Sequence, residues 1–123
     1  MRLTIRVDFE PGHALGPGKV RLLEQIEETG SIRGAASALK MSYRRAWLLL
    51  QALEKTFGCP LIATATGGAK GGGASLTEPG RRVVRLYRAM EQKAATATAR
   101  EAKALAHSRY SKLKKPRKTS KKR

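Results

Sequence analysis

Little in this chain of 123 residues suits it to bond-making chemistry. It has one cysteine, Cys59, and two histidines, His13 and His107. A single thiol rules out an internal disulfide, and so sparse a ligand set leaves no metal site. Cys59, beside Pro60, reads as a small buried hydrophobe. The 9 acidic residues are scattered, so no nucleophile, base and orienting group can be assembled, which argues against an enzyme. Aromatics make up only 5% of the chain and leave few stacking platforms for RNA. No apolar run reaches the roughly 18 residues of a membrane span, and Met1-Arg2-Leu3-Thr4-Ile5-Arg6-Val7 lacks the apolar core of a signal peptide. The expectation is a cytoplasmic protein without cofactor, metal or membrane partner.

What the chain has is positive charge. Its 26 Lys and Arg residues give a net charge of +17, which favours a polyanionic partner. That charge is divided unequally. Ser108 to Arg123 carries +9 with no acid, and residues 1–107 carry the other +8. Hydrophobic residues, at 41%, are enough for a small core of Leu, Ile, Val and Ala within residues 1–107. Residues 108–123 include Pro116 and lack a helical apolar stripe, so they read as a basic tail that is disordered when free. Such a tail either keeps the protein soluble or grips phosphates without regard to sequence.

Within residues 1–107, Leu3, Ile5, Val7 and Phe9 alternate with Thr4, Arg6 and Asp8, the period of a half-buried strand. A loop rich in Pro and Gly runs from Pro11 to Gly18. Val20, Leu22, Leu23 and Ile26 form the apolar face of a helix that stops at Gly30. Ser31 can cap a short helix with Ala35, Ala36, Ala38 and Leu39. Ser42 caps a longer one with Ala46, Leu49, Leu50, Leu53 and Phe57 on one face and Gly58 at its end. A strand over Leu61–Thr66, a glycine-rich tip and a short strand over Ala74–Leu76 make a hairpin. Thr77 opens a final helix reaching about His107. At about 29 residues it would be roughly 43 Å long and would project from so small a domain. Along it Val83, Tyr87, Met90, Ala94 and Ala97 recur at steps of four and three, a seam of the kind that joins two copies in a homodimer.

The helix pair from Ser31 to Phe57 carries the functional reading. Two helices joined by a tight turn can place the second in the major groove of double-stranded DNA. The second begins Ser42-Tyr43-Arg44-Arg45. Free backbone N–H groups and the positive end of the helix dipole favour phosphate there, while an arginine can pair with guanine. Tyr43 either contacts phosphate or stacks on Trp47, and Trp47 itself is expected between helices. Arg33, near the start of the shorter helix, is a backbone contact without sequence information.

Lys70 lies in the glycine-rich tip, Gly67-Gly68-Ala69-Lys70-Gly71-Gly72-Gly73. A phosphate-binding P-loop would place its lysine after the last glycine and lead from a strand into a helix, whereas this segment joins two strands. A hairpin poor in side chains that carries one lysine suits the wing of a winged helix-turn-helix. The expected fold is mainly α with a small β-hairpin: a winged helix-turn-helix with an N-terminal strand and a long C-terminal dimerisation helix.

Gly30-Ser31-Ile32, Met41-Ser42-Tyr43-Arg44-Arg45-Ala46-Trp47, the stretch Ala65–Ala74 and Leu76-Thr77-Glu78-Pro79-Gly80 together resemble the N-terminal DNA-binding domain of the molybdate-responsive ModE regulators. More distantly, the arrangement is similar to the winged domain of LysR-type regulators. The resemblance covers about residues 1–105. It implies a homodimeric, sequence-specific transcription regulator, typically repressing molybdate-uptake genes. It also puts Ser42, Tyr43, Arg44 and Arg45 in the recognition helix and Lys70 in the wing. Family members continue into small β-rich domains that bind molybdate, where this sequence has its basic tail, so no molybdate site is expected in it. The rival expectation is an architectural protein that binds any nucleic acid through the tail.

Overall fold

The structure, a computed structural model, describes residues 1–68 and 71–114, with the backbone alone for 66–68, 71–72 and 110–114. Its N-terminal segment alternates over residues 3–8, with Leu3, Ile5 and Val7 half-buried and Thr4, Arg6 and Asp8 exposed, but Phe9, expected on the apolar face, is exposed. Ladder pairing is confined to the end of that segment. Strand β1 (Val7–Glu10) runs antiparallel to β2 (His13–Leu15), with Glu10 opposite His13. The expected strand over Leu3–Phe9 is therefore shorter and later, and β2 lies where a loop was expected. Pro11 and Gly12 explain the reversal. Gly12 has φ 84°, and proline followed by a positive-φ glycine suits the two central positions of a type II turn.

Three helices follow at the positions their sequence signals indicate. Helix α1 (Pro17–Thr29) has proline in its first turn and ends at Gly30. In α2 (Ile32–Ala38) the cap is Ser31, whose Oγ accepts from the Gly34 N–H at 2.8 Å. In α3 (Tyr43–Phe57) it is Ser42, whose Oγ accepts from the Arg45 N–H at 3.0 Å, and the helix stops at Gly58. The turn joining α2 to α3 is closed by Lys40, in the left-handed region at φ 58°, and by the Met41 N–H donating to the Ala36 carbonyl at 3.0 Å. Strands β3 (Ile62–Gly68) and β4 (Gly71–Leu76) then pair antiparallel, with Ile62 opposite Leu76 and Gly68 opposite Gly71.

Thr77 caps α4 (Glu78–Ala97), and α5 (Ala99–Lys114) completes the described chain. These two replace the single helix expected from Thr77 to about His107. The break is at Thr98, whose backbone N–H and Oγ1 both donate to the Ala94 carbonyl, at 3.0 and 2.7 Å. Its φ of −108° and ψ of 14° depart from helical values, as Ser and Thr back-bonding promotes. Helical backbone also continues to Lys114, into the segment from Ser108 expected to be disordered. No helix breaker occurs there before Pro116, and residues 115–123 lie outside the described residues.

Helix α1 is the centre of the domain, in contact with α2, α3, α4 and β4. Its adjacent residues Leu22 and Leu23 are both fully buried, as are Val20 and Ile26. Full burial of such side chains is worth about 1.5–3 kcal/mol each before entropy is counted. Ala35, Ala36 and Ala46 are buried where the helices meet, small enough for close approach. Gly80 is buried under the same constraint, because a Cβ there would collide with the Leu61 carbonyl oxygen. Polar contacts fasten the hairpin and the residue before it to the helices. The Ala74 N–H donates to the Gly30 carbonyl at 2.8 Å, the Leu76 N–H to Glu27 Oε1 at 2.8 Å, and the Leu61 N–H to Glu54 Oε2 at 2.8 Å. Arg88 ties α4 to α1 by donating to both Glu24 oxygens, at 2.9 and 2.7 Å, and to Glu91 at 2.6 Å. These bonds, Glu24's foremost, hold the guanidinium pKa above its ordinary value against the opposing effect of burial.

Candidate nucleic-acid interface

The cap at Ser42 orients the first turn of α3. Because its Oγ satisfies the Arg45 N–H, the helix starts sharply, with Tyr43, Arg44 and Arg45 in its first turn. Ala46, Leu50 and Leu53 point into the core, which turns Arg44 and Arg45 outward to exposed positions. Tyr43 makes an edge contact with Trp47, ring centroids 6.3 Å apart, and the Arg33 guanidinium lies 4.3 Å from the Tyr43 ring centroid. Of the two readings open for Tyr43, contact with Trp47 is present, edge-on and not stacked, while the ring remains 41% exposed. Trp47, expected between helices, is half-buried against the core and faces the β3–β4 hairpin across a groove. Arg33, Ser42, Tyr43, Arg44 and Arg45 are all exposed and lie along the first turns of α2 and α3.

Between this cluster and the β3–β4 hairpin lies a groove of about 330 Å³, lined by Arg33, Tyr43 and Trp47 on the helical side and by Thr64, Ala65, Gly73 and Ala74 on the strand side. The strand wall is built from small side chains, so a polymer backbone can approach closely. Lys70, expected at the hairpin tip, lies outside the described residues. A second groove, about 390 Å³, runs beside the other flank of α3 and brings Arg6 and Lys19 to Arg45. Arg6 and Lys19 were not picked out from the sequence, because only the folded β1–β2 hairpin and the start of α1 bring them near α3.

The sequence reading also passed over the outward stripe of α3. Arg44, Leu48, Gln51 and Lys55 are exposed at steps of four, three and four, one face of the helix opposite Ala46, Leu50 and Leu53. The spacing of that stripe is legible in the sequence, opposite the apolar face.

Two of the five residues of the expected seam on α4 are taken up inside the domain. Val83 and Tyr87 are buried within this chain's own core. Tyr87 packs beneath the N-terminal segment, its hydroxyl donating to the Ile5 carbonyl at 2.6 Å. Helical spacing marks an apolar face without saying whether the same chain or another covers it. Of the remaining seam residues, Met90 and Ala97 are exposed and Ala94 is half-buried. Leu86, one turn before Met90, is exposed too. Among the described residues no group of His, Cys, Asp and Glu is placed to hold a metal ion, and no helix is long and apolar enough to cross a membrane.

A buried three-helix core, a second helix presenting a basic end and a following hairpin define a winged helix-turn-helix of the DNA-binding type. Residues 18–81 match the family described as bacterial regulatory helix-turn-helix protein, lysR family, and the chain belongs to it. That family consists of DNA-binding transcription regulators, in general not enzymes. The chain is 42% identical over 85 residues to the molybdenum transport protein ModE of Azotobacter vinelandii, a match covering 69% of this chain and 32% of that protein. It is likewise 42% identical over 90 residues to the transcriptional regulator ModE of Haemophilus influenzae, covering 73% and 35%. The chain thus spans about a third of the length of these curated relatives. Among solved structures, the full-length LTTR LysG of Corynebacterium glutamicum with bound effector Arg matches with a TM-score of 0.56 at 28% identity, over 76% of this chain and 30% of that one. The likeness to ModE read from Ser42–Trp47 and the glycine-rich hairpin is borne out.

Proposed function

We propose that this chain binds specific sites in duplex DNA as a homodimer and represses genes of molybdate transport or molybdenum metabolism. The observation that carries the proposal is the capped, outward-facing start of α3, with Arg44 and Arg45 exposed beside the Arg33–Tyr43 stack. On this reading Arg44 and Arg45 reach base edges, Arg33, Ser42 and Tyr43 set the helix against the phosphates, and Lys70 meets the backbone from the wing. The link to molybdenum is supported by the names of the relatives. The homodimer is supported by the exposed stripe of Leu86, Met90 and Ala97 on α4.

Titrating the protein with palindromic duplexes from promoters of molybdate-transport genes, against shuffled duplexes of equal length, tests the proposal. Preference for the promoter sites is the expected result, and equal affinity for both would overturn it. Arg44→Ala or Arg45→Ala is expected to cost about 1–3 kcal/mol on the specific site and to relax preference at one base pair. The charge of residues 108–123 favours a second reading, nonspecific coating of nucleic acid. Equal binding of all duplexes, abolished by removing those residues, would select it.

A further inference from the structure

Leu48 is 52% exposed in the middle of α3. A lone exposed leucine signifies nothing by itself, since much of any protein surface is apolar. Its place gives it meaning. It stands one turn beyond Arg44 and one turn before Gln51 on the face turned away from the core, and every other residue of that stripe is polar. Ala46, Leu50 and Leu53 already anchor the helix, so Leu48 adds no packing there.

Resting on the DNA-binding reading above, we infer that Leu48 is a specificity-determining residue that packs against the 5-methyl group of a thymine in the major groove. Thymine is the one base that presents an apolar group there, and an aliphatic side chain is its complement. Gln51 on the same stripe offers the amide that pairs with adenine N6 and N7, so the two residues together suit A·T pairs. Arg44 suits guanine. Four residues of helix separate Arg44 from Leu48, a rise of about 6 Å, which is under two base steps of about 3.4 Å. A G·C pair and an A·T pair within about two steps of each other are therefore expected in each half-site.

Deoxyuridine tests the contact cleanly, because replacing thymine removes the methyl group and leaves the hydrogen-bonding edge intact. The site is first selected by the wild-type chain from a random duplex pool. Each thymine is then replaced in turn, and binding of wild type, Leu48→Ala and Leu48→Met is measured. Alanine at this exposed helical position keeps the fold. The expected result is one thymine per half-site whose replacement weakens wild type and Leu48→Met about fourfold, the effect of losing one buried methyl group. Leu48→Ala is expected to be indifferent to that replacement. Selection of a site at which no replacement distinguishes wild type from Leu48→Ala would overturn this inference and leave the DNA-binding reading standing. Failure to enrich any site would overturn both.

Discussion

Tyr87 has the largest fully buried side chain among the described residues, and its hydroxyl reaches back to Ile5 across 82 positions of sequence. Burial above all, with the nearby Glu91 carboxylate second, raises its phenol above the ordinary value of 10.0, while Arg88 pulls in the opposite direction. A raised pKa means that the folded protein holds the proton more tightly than the unfolded chain. The stabilisation is therefore full below pH 10 and is lost as pH rises through 10 toward the folded value. Tyr87→Phe removes the hydrogen bond, at a cost of about 1 kcal/mol at neutral pH, and with it this alkaline loss. Urea unfolding of both proteins at pH 8 and above pH 10 is expected to show the gap between them narrowing as the pH rises. A constant gap would count against the assignment.

At the scale of elements, most boundaries were legible where a local signal sets them. Ser31, Ser42 and Thr77 cap α2, α3 and α4 through their own side chains, and Gly30 and Gly58 end α1 and α3. What the sequence left undecided depends on partners distant in the chain. Nothing near Val83 and Tyr87 says that the N-terminal segment and the core will cover them. The approach of Arg6 and Lys19 to Arg45 exists only once β1 and β2 pair. Pro11-Gly12 was a turn signal that the loop reading absorbed. Because Val83 and Tyr87 are used internally, a dimer through α4 must rest on Leu86, Met90 and Ala97. The double substitution Leu86→Lys, Met90→Lys is expected to convert a dimer into a folded monomer in sedimentation equilibrium. A wild-type mass already that of one chain, or an unchanged mass for the variant, would remove α4 as the interface.

For the molecule as a whole, the net charge of +17 acts at two ranges. Several of the few acids are committed to internal contacts: Glu27 and Glu54 hold strand N–H groups, and Glu24 and Glu91 hold Arg88. The arginines of the first turn of α3 lie outside those pairings. Residues 115–123 add Lys115, Arg117, Lys118, Lys121, Lys122 and Arg123. Each phosphate neutralised contributes about 0.9 to the slope of log affinity against log salt. Truncation after Lys114 is therefore expected to flatten that slope by at most about 5 and to weaken specific and shuffled duplexes alike. Loss of discrimination between them on truncation would mean that the tail reads sequence.

One hydrogen bond has a mechanical consequence. The Gly30 carbonyl that accepts from Ala74 belongs to the residue just before the Ser31 cap, so strand β4 is pinned to the very peptide from which α2 departs. The base of the hairpin is thereby held to the helix pair. On the proposed reading, the spacing between major-groove helix and wing is a fixed calliper, and any misfit must be taken up by bending the duplex. Sites would then be ranked partly by the stiffness of base steps that the protein never touches.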